Sequence, residues 1–356
     1  MTTHASRSDA TDSDAPSDLP SGLAHSNLVR TVGWLAMVAV LLAAVLLSLA
    51  IGPTDIPWSD VMHAVFHYDG SMSDIAVRDG RIARTLLGVL VGIALGLAGA
   101  LIQALTRNPL ADPGILGVNA GAAFFVALAV GTLGVTQVWG YIWFAFFGAV
   151  LTTVIVYLIG SGGRGGVDPI RITLAGVAVA AVLTGVTIGL LLLHPATFDQ
   201  MRNWNAGSIA GRGLQISGAV APFIAAGVVL TAIVARPLNA LALGDDLARS
   251  LGAELTRTRI VGIVAITLLC GAATAAAGPI GFVGLMVPHV ARWIVGPDQR
   301  WILAYTFVGA PILVLVADVI GRVVLPSGEL QVGIVTAFIG APILILLVRQ
   351  RKASGL

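Results

Sequence analysis

The sequence predicts an all-α, polytopic membrane protein with about ten transmembrane helices. Three observations support this fold class. Only 11% of the 356 residues are charged, where a soluble globular chain carries about 25%. Hydrophobic residues make up 57% of the chain, and the mean hydropathy is +0.93. The few charges fall in short joints between apolar stretches, so most of the chain must face lipid or other helices.

Ten apolar stretches are long enough to be spans, given that a membrane helix needs about 20 such residues. They cover residues 32–51, 84–105, 115–133, 138–159, 172–193, 217–235, 260–278, 282–296, 301–318 and 331–348. The eighth is short and follows a Gly- and Pro-rich segment, which predicts a broken or re-entrant region buried in protein. The second carries Gly88, Gly92 and Gly96 on one face, which predicts close packing in the middle of the bundle.

The chain is predicted to be one transmembrane domain, residues 28–356, preceded by a tail. Ser, Thr, Asp, Ala and Pro dominate residues 1–27, a composition typical of disorder. Fourteen of the twenty Arg and Lys residues share one side of the predicted topology, so the positive-inside rule places both termini, and the tail, in the cytoplasm.

Several function classes are disfavoured by composition. A net charge of +2 with scattered basic residues is no footprint for nucleic acid. The sole Lys, Lys352, ends no Gly-rich phosphate loop, and the six His residues are dispersed, so we expect no nucleotide site, no metal site, no cofactor and no enzyme activity. The spans hold few ionisable groups. Asp318 and Arg322, four residues apart, are expected to pair on one helix face.

The joint over residues 106–114 is unusual because Pro109 and Pro113 force a tight, rigid turn between two spans. Two interpretations stay open for it. It is a structural turn, or it is a constriction at the cytoplasmic mouth of a pathway.

The longest cytoplasmic joint covers residues 236–259. Its central part, residues 243–255, is predicted as two short helices parted at Gly252, with Leu243, Leu247 and Leu251 forming one apolar stripe. Such a helix can lie on lipid or fit a groove on a partner protein, and the residues alone do not decide between them.

At these joints the chain resembles the iron-chelate-uptake permease family, the FecCD family of binding-protein-dependent ATP-binding-cassette (ABC) importers. The matching motifs are ordered along roughly residues 30–350. They are RIARTL at 81–86, GALIQ at 99–103, NPLADPGILG at 108–117, LAGV at 174–177, GPIGFVGLMVPH at 278–289 and GIVTAFIGAP at 333–342. Stretches 105–114, 199–204, 288–293 and 317–323 resemble the ferric-enterobactin branch of the family.

The resemblance implies a BtuC-like, type II ABC importer fold and a permease function. The implied cargo is a ferric siderophore of the catecholate type. Haem, cobalamin and hydroxamate siderophores are alternatives because their permeases share the frame. The implied partners are a dimer of ATPase subunits, a periplasmic or lipid-anchored substrate-binding protein, and a second permease subunit, a paralogue of this one.

The resemblance also implies roles for residues at both ends of the bundle. Arg81, Arg84 and Arg322 match outer arginines that face acidic residues of the binding protein, the alternative being that they anchor span ends at lipid headgroups. Asn108 and Leu110 match a turn that narrows the inner mouth. The ATPase-coupling role falls on the joint residues Leu243, Gly244, Asp245, Leu247, Leu251 and Gly252.

Two other function classes compete with the permease. An ion-coupled carrier is disfavoured by the lack of buried acids or histidines that could act as relays, although sodium sites can be built from backbone carbonyls. A membrane scaffold or receptor would not need the proline-clamped turn.

Overall fold

The structure, a computed structural model, describes residues 23–351 apart from residues 25, 53, 55, 68, 163–168, 251, 253, 326 and 327. The helices follow in chain order: α1 Asn27–Ala50, α2 Trp58–Phe66, α3 Met72–Ile75, a π-helix Ala76–Ile82, α4 Ala83–Thr106, a 3₁₀ turn Pro113–Leu116, α5 Val118–Leu133, α6 Val138–Ser161, α7 Pro169–Leu193, α8 Pro195–Asn205, α9 Leu214–Ala242, α10 Asp245–Ser250, α11 Leu255–Ala277, α12 Val283–Val295, α13 Gln299–Val323 and α14 Val332–Arg351.

The ten predicted spans are confirmed within these residues. Seven helical segments are long and apolar enough to cross a membrane, and α5, α12 and α14 are shorter apolar helices that complete the set. The predicted break before the eighth span is also present. Gly278 and Phe282 both have positive φ angles, 75° and 67°, so the chain reverses sharply between α11 and α12.

Helix α4 is the centre of the bundle, as its glycine spacing predicted. Gly92 and Gly96 lie directly against α13, where a Cβ atom on Gly92 would meet the backbone of Pro311. On another face, Gly99 touches the backbone of Gly284 in α12. Small residues allow this approach because there is no side chain to hold the two backbones apart.

The bundle has two ends, named here the N-side end, where α1 begins, and the far end, where α1 stops. Helix α10 lies at the N-side end. The far end carries α2, α3, the π-helix and α8. Val61 and Ala64 of α2 form a small apolar cluster with Val77 of the π-helix. In α8, Met201 and Trp204 are fully buried.

The joint after α9 differs from the prediction of two short helices. Among its described residues it forms one short helix, α10. Leu255, expected in the second helix, instead begins the spanning helix α11. The predicted tail lies largely outside the described residues. Its last part is bound, since the Leu23 and Ala24 amides donate to the carbonyls of Trp293 and Ile294 at the end of α12.

Replacing Gly92 by Ala should destabilise the protein. The new Cβ would lie 2.5 Å from Cα of Pro311, so α4 and α13 must separate, at a cost of about 1–3 kcal/mol. Thermal unfolding of the detergent-purified protein measures this. Gly185→Ala in α7 is the matched control, because its Cβ meets nothing within 4 Å. Equal melting temperatures for the two variants would contradict the packing argument.

Candidate functional site

A buried carboxylate organises the far end of the bundle. Arg84 of α4 grips Asp318 of α13, with its Nε 3.0 Å from both carboxylate oxygens and its Nη2 2.7 Å from Oδ1. Arg322, one turn along α13, donates to the same carboxylate, so the pairing predicted from their spacing is confirmed. Arg84 also holds Glu329, Nη1 to Oε2, at 2.6 Å. The two arginines and two acids balance in charge.

Arg81 and Arg322 complete the C-terminal end of α1. The last carbonyls of a helix have no partner within the helix. Here Arg81 Nη1 donates to Leu49 and Ala50 O at 2.8 and 2.7 Å, and Arg322 Nη1 donates to Ser48 O at 2.8 Å. The carbonyl of Leu47 accepts from the Ile51 amide. All four terminal carbonyls are therefore satisfied, and two positive charges sit at the negative end of the helix dipole.

These contacts bear on the outer arginines named from the sequence. Arg81 and Arg322 are buried, and their guanidinium groups point inward to α1 and Asp318. Arg84 is 11% exposed and fully engaged by Asp318 and Glu329. The three residues are thus brought together at one end, and each holds the fold. Their role in docking stays a prediction.

A cavity of about 470 Å³ opens beside this cluster at the far end. Its walls come from the start of α6, the end of α8, the loop that follows α8 and the segment before α14. Its lining includes Arg84, Thr136, Tyr141, Asn203, Trp204, Ser208, Arg212, Glu329 and Gln331. Arg212 is buried and donates from Nη1 to the hydroxyl of Tyr141 at 2.9 Å.

The proline turn at the N-side end is built by local polar contacts. The Leu110 amide donates to Asn108 Oδ1 at 3.0 Å, and the Gly114 amide donates to Asp112 Oδ1 at 2.7 Å. Burial raises the pKa of Asp112, although the hydrogen bond from Gly114 favours the ionised form. Asn108 and Leu110 are exposed, and Leu110 shows 46% of its surface. An apolar side chain presented outward suits a constriction shared with another subunit.

Three charged side chains form a clamp between the proline turn and the joint over residues 236–259, named here the coupling joint. Asp245, the first residue of α10, accepts from Arg107 Nη2 at 2.7 Å and from Arg259 Nη2 at 2.8 Å. Arg107 ends α4 in a left-handed conformation, φ 51°, and Arg259 lies in the first turns of α11. The two joints that the sequence suggested separately therefore form one surface.

The stripe proposed on the coupling joint is partly described. Leu243 and Leu247 are exposed, at 59% and 56%, while Leu251 lies outside the described residues. Gly244 and Gly252 have φ angles of 102° and 80°, which a residue with a side chain rarely adopts, so they set the two ends of α10. Leu243, which follows α9, and Leu247, on α10, therefore leave two large apolar side chains exposed at the N-side end.

Burial alone would raise the pKa of Asp245. The hydrogen bond and charge of Arg259, with the charges of Arg107 and Arg249, outweigh this and lower the pKa below its ordinary 3.8. The carboxylate is thus ionised at neutral pH, and the clamp is charged on both sides.

Sequence reasoning missed three functional candidates: Glu329, Arg212 and the Asp245 clamp. Each pairs residues far apart in the chain; Arg84 and Glu329, for example, are separated by 245 positions. The sequence does indicate such residues, because each is charged and lies in a short joint of a chain that has few charges. It does not indicate which residue each one contacts.

These features define a polytopic α-helical membrane protein with a polar cavity at one end and a clamped, open apolar helix at the other. The FecCD transport family model matches residues 40–350, so the chain belongs to the FecCD transport family. It is a multi-pass membrane protein of the bacterial inner membrane and a transport permease subunit.

The relatives agree with this assignment. The chain is 48% identical to the ferric enterobactin transport system permease protein FepD of Escherichia coli (strain K12), over 92% of this chain and 98% of that one. It is 33% identical to FepG of the same system and strain, covering 89% and 95%. A solved metal-chelate type ABC transporter in an inward-facing conformation shares the fold, with a TM-score of 0.79 at 24% identity over 90% and 99% of the chains.

Neutralising Asp245 should loosen the coupling joint. Its stabilising contribution is complete above about pH 3.8 and is lost as the pH falls through the lower pKa of the folded state. In Asp245→Asn, amides of residues 243–250 should lose about fivefold of their hydrogen-exchange protection at pH 7, the factor that about 1 kcal/mol represents. Asp246→Asn, a fully exposed neighbour paired only with Arg249, should match the wild type. Equal protection in both variants would contradict the clamp.

Proposed function

We propose that this chain is the permease subunit of a binding-protein-dependent ABC importer that moves a ferric siderophore of the catecholate type across the cytoplasmic membrane. The observation that carries the proposal is 48% identity to FepD over almost the whole of both chains. Both FepD and FepG are named as permeases for ferric enterobactin, and both match this chain over most of its length. That pairing also supports a second permease subunit that is a paralogue.

The proposed orientation places the N-side end in the cytoplasm. Fourteen of the twenty basic residues belong to that side, including Arg107, Arg249, Arg257 and Arg259 around the coupling joint. Both termini are then cytoplasmic, and the far-end cavity faces the binding protein.

The N-side surface is proposed to receive the ATPase dimer. Leu243 and Leu247 are open, and Asp245 holds α10 rigidly against α11 through Arg259. A helix whose first residue is held by ion pairs and whose exposed face is apolar can transmit a displacement from a bound partner. A flexible loop would absorb that displacement. This supports the partner-groove interpretation of the stripe over the lipid one.

The proline turn is proposed to be the cytoplasmic gate. Leu110 projects from a turn whose shape is fixed by Asn108 and Asp112, and the turn is tied by Arg107 to the ATPase surface through Asp245. The Arg107–Asp245 pair therefore ties the position of the turn, and of Leu110, to that of α10.

The far-end arginines are proposed to support the binding-protein surface. Arg84 and Glu329 line the cavity, while Arg81 and Arg322 fix the end of α1 beside it. Direct docking would act through Arg84, the most accessible of the three. The other two hold the surface in shape.

Uptake by whole cells tests the function. A strain lacking this chain should lose accumulation of radiolabelled ferric enterobactin and regain it on complementation. Haem, cobalamin and a ferric trihydroxamate are supplied in parallel. Restoration of any of these in place of ferric enterobactin would assign that cargo instead, and no dependence of any uptake on this chain would refute the permease function.

The two ends should fail separately when altered. Leu247→Asp should lose co-purification of the ATPase and keep binding-protein docking, because a charge enters an apolar contact. Arg84→Gln should lose docking and keep the ATPase, because it removes the accessible positive charge while Arg322 still neutralises Asp318. In each variant, retention of the other partner shows that the protein is folded. Leu28→Asp, exposed at the N-side end, controls for a charge near lipid headgroups. Loss of both partners in either variant would contradict the assignment of ends.

A further inference from the structure

The far-end cavity holds a charge that the protein does not balance. Arg212 is buried, with 7% of its surface exposed, and within the described residues no carboxylate lies within ion-pair distance of it. Its Nη1 binds the neutral hydroxyl of Tyr141, while its Nε has no partner among those residues. An arginine cannot shed its proton to relieve this, and a buried charge without a counter-charge costs several kcal/mol.

The acid in the cavity lining does not neutralise Arg212. Glu329 is already held by Arg84 at 2.6 Å. The lining therefore carries one net positive charge, that of Arg212, without a matching acceptor among the described residues.

We propose that this cavity is a binding site for an anionic, oxygen-rich ferric chelate, with Arg212 as its charge-recognition residue. This rests on the proposed function and adds a site to it. A ferric tris-catecholate fits the chemistry, because its doubly ionised catechols outweigh the ferric charge and leave anionic oxygens at its surface. An arginine fork suits such oxygens. A volume of about 470 Å³ is in the range of small-molecule sites.

Specificity follows from the same residues. A neutral ferric trihydroxamate of similar size gains nothing from the Arg212 charge. The site should therefore discriminate by charge, and discrimination should vanish when Arg212 is neutralised.

The test uses the assembled transporter in nanodiscs without its binding protein, with radiolabelled ferric enterobactin as the probe. Arg212→Gln should weaken equilibrium binding by about tenfold or more, the effect of losing a charge-assisted hydrogen bond. Arg212→Lys should recover part of it. Binding of a neutral ferric trihydroxamate should not change. Arg202→Gln is the matched control, an exposed arginine on α8 near the same loop.

Thr136→Trp keeps the proposal testable if Arg212 variants fail to fold. Thr136 is exposed at the rim, so a large side chain there narrows the cavity without disturbing the core. Wild-type affinity in the folded Arg212 and Thr136 variants would overturn the proposal. A second result would also overturn it: Arg212→Gln loses docking of the binding protein while its affinity for ferric enterobactin is unchanged. The cavity would then receive a carboxylate of the binding protein.

Failure of the proposed function is visible separately. Cells that import ferric enterobactin normally with Arg212→Gln refute this site alone. Cells whose wild-type chain supports no ferric-siderophore uptake refute the function itself.

Discussion

The buried carboxylate of Asp318 is the interaction on which the far end depends. It lies in an apolar bundle with 1% of its side chain exposed, and two arginines from different helices neutralise it. Removing one partner of such a network leaves an uncompensated charge, which costs about 3–5 kcal/mol. The same two arginines reach Glu329 and the end of α1, so a single acid fixes four parts of the chain relative to each other.

Helix α1 shows why that network matters. Among its residues only Ala44 and Ser48 are buried, and Trp34 and Met37 pack against a small apolar cluster of α12 and α13. Polar contacts add to this limited packing. Trp34 donates to Ala304 O at 3.0 Å, Tyr305 donates to Arg30 O at 2.7 Å, and the terminal carbonyls rest on Arg81 and Arg322. In lipid, where water cannot satisfy a carbonyl, this arrangement holds a peripheral helix in place.

The sequence predicted what depends on local pattern. Four features follow from the pattern of residues within one segment of the chain. They are the ten spans, the break before α12, the glycine face of α4 and the pairing of Asp318 with Arg322. Contacts between helices did not follow. The resemblance implied that Arg81 and Arg322 face outward, whereas both donate to carbonyls of α1, a contact between helices that spacing along one helix does not predict. The short helix α8 was missed because its residues, Asp199 to Asn203 among them, have no apolar periodicity.

The clamp at Asp245 gives the two ends a physical connection. Arg107 ends α4, whose first residues reach Arg84 at the cavity, and Arg259 begins α11, whose last carbonyl, at Ala277, accepts from the Ser208 amide at 2.7 Å in the cavity loop. Two continuous helices therefore run from the coupling joint to the cavity. Contiguity is necessary for coupling and does not by itself establish it, because coupling needs an element with two arrangements that both ends can bias.

The two bonds of Asp245 supply a direction for such a change. Arg107 is 41% exposed, so water replaces its contact at a cost of at most about 1 kcal/mol. Arg259 is 10% exposed, so its bond to Asp245 lies in a drier site and costs more to break. When α10 is displaced, the bond to Arg107 therefore breaks first, and Asp245 stays paired with Arg259. The proline turn is then released while α11 remains attached to α10, so the two bonds hold α10 to α4 and to α11 with unequal strength.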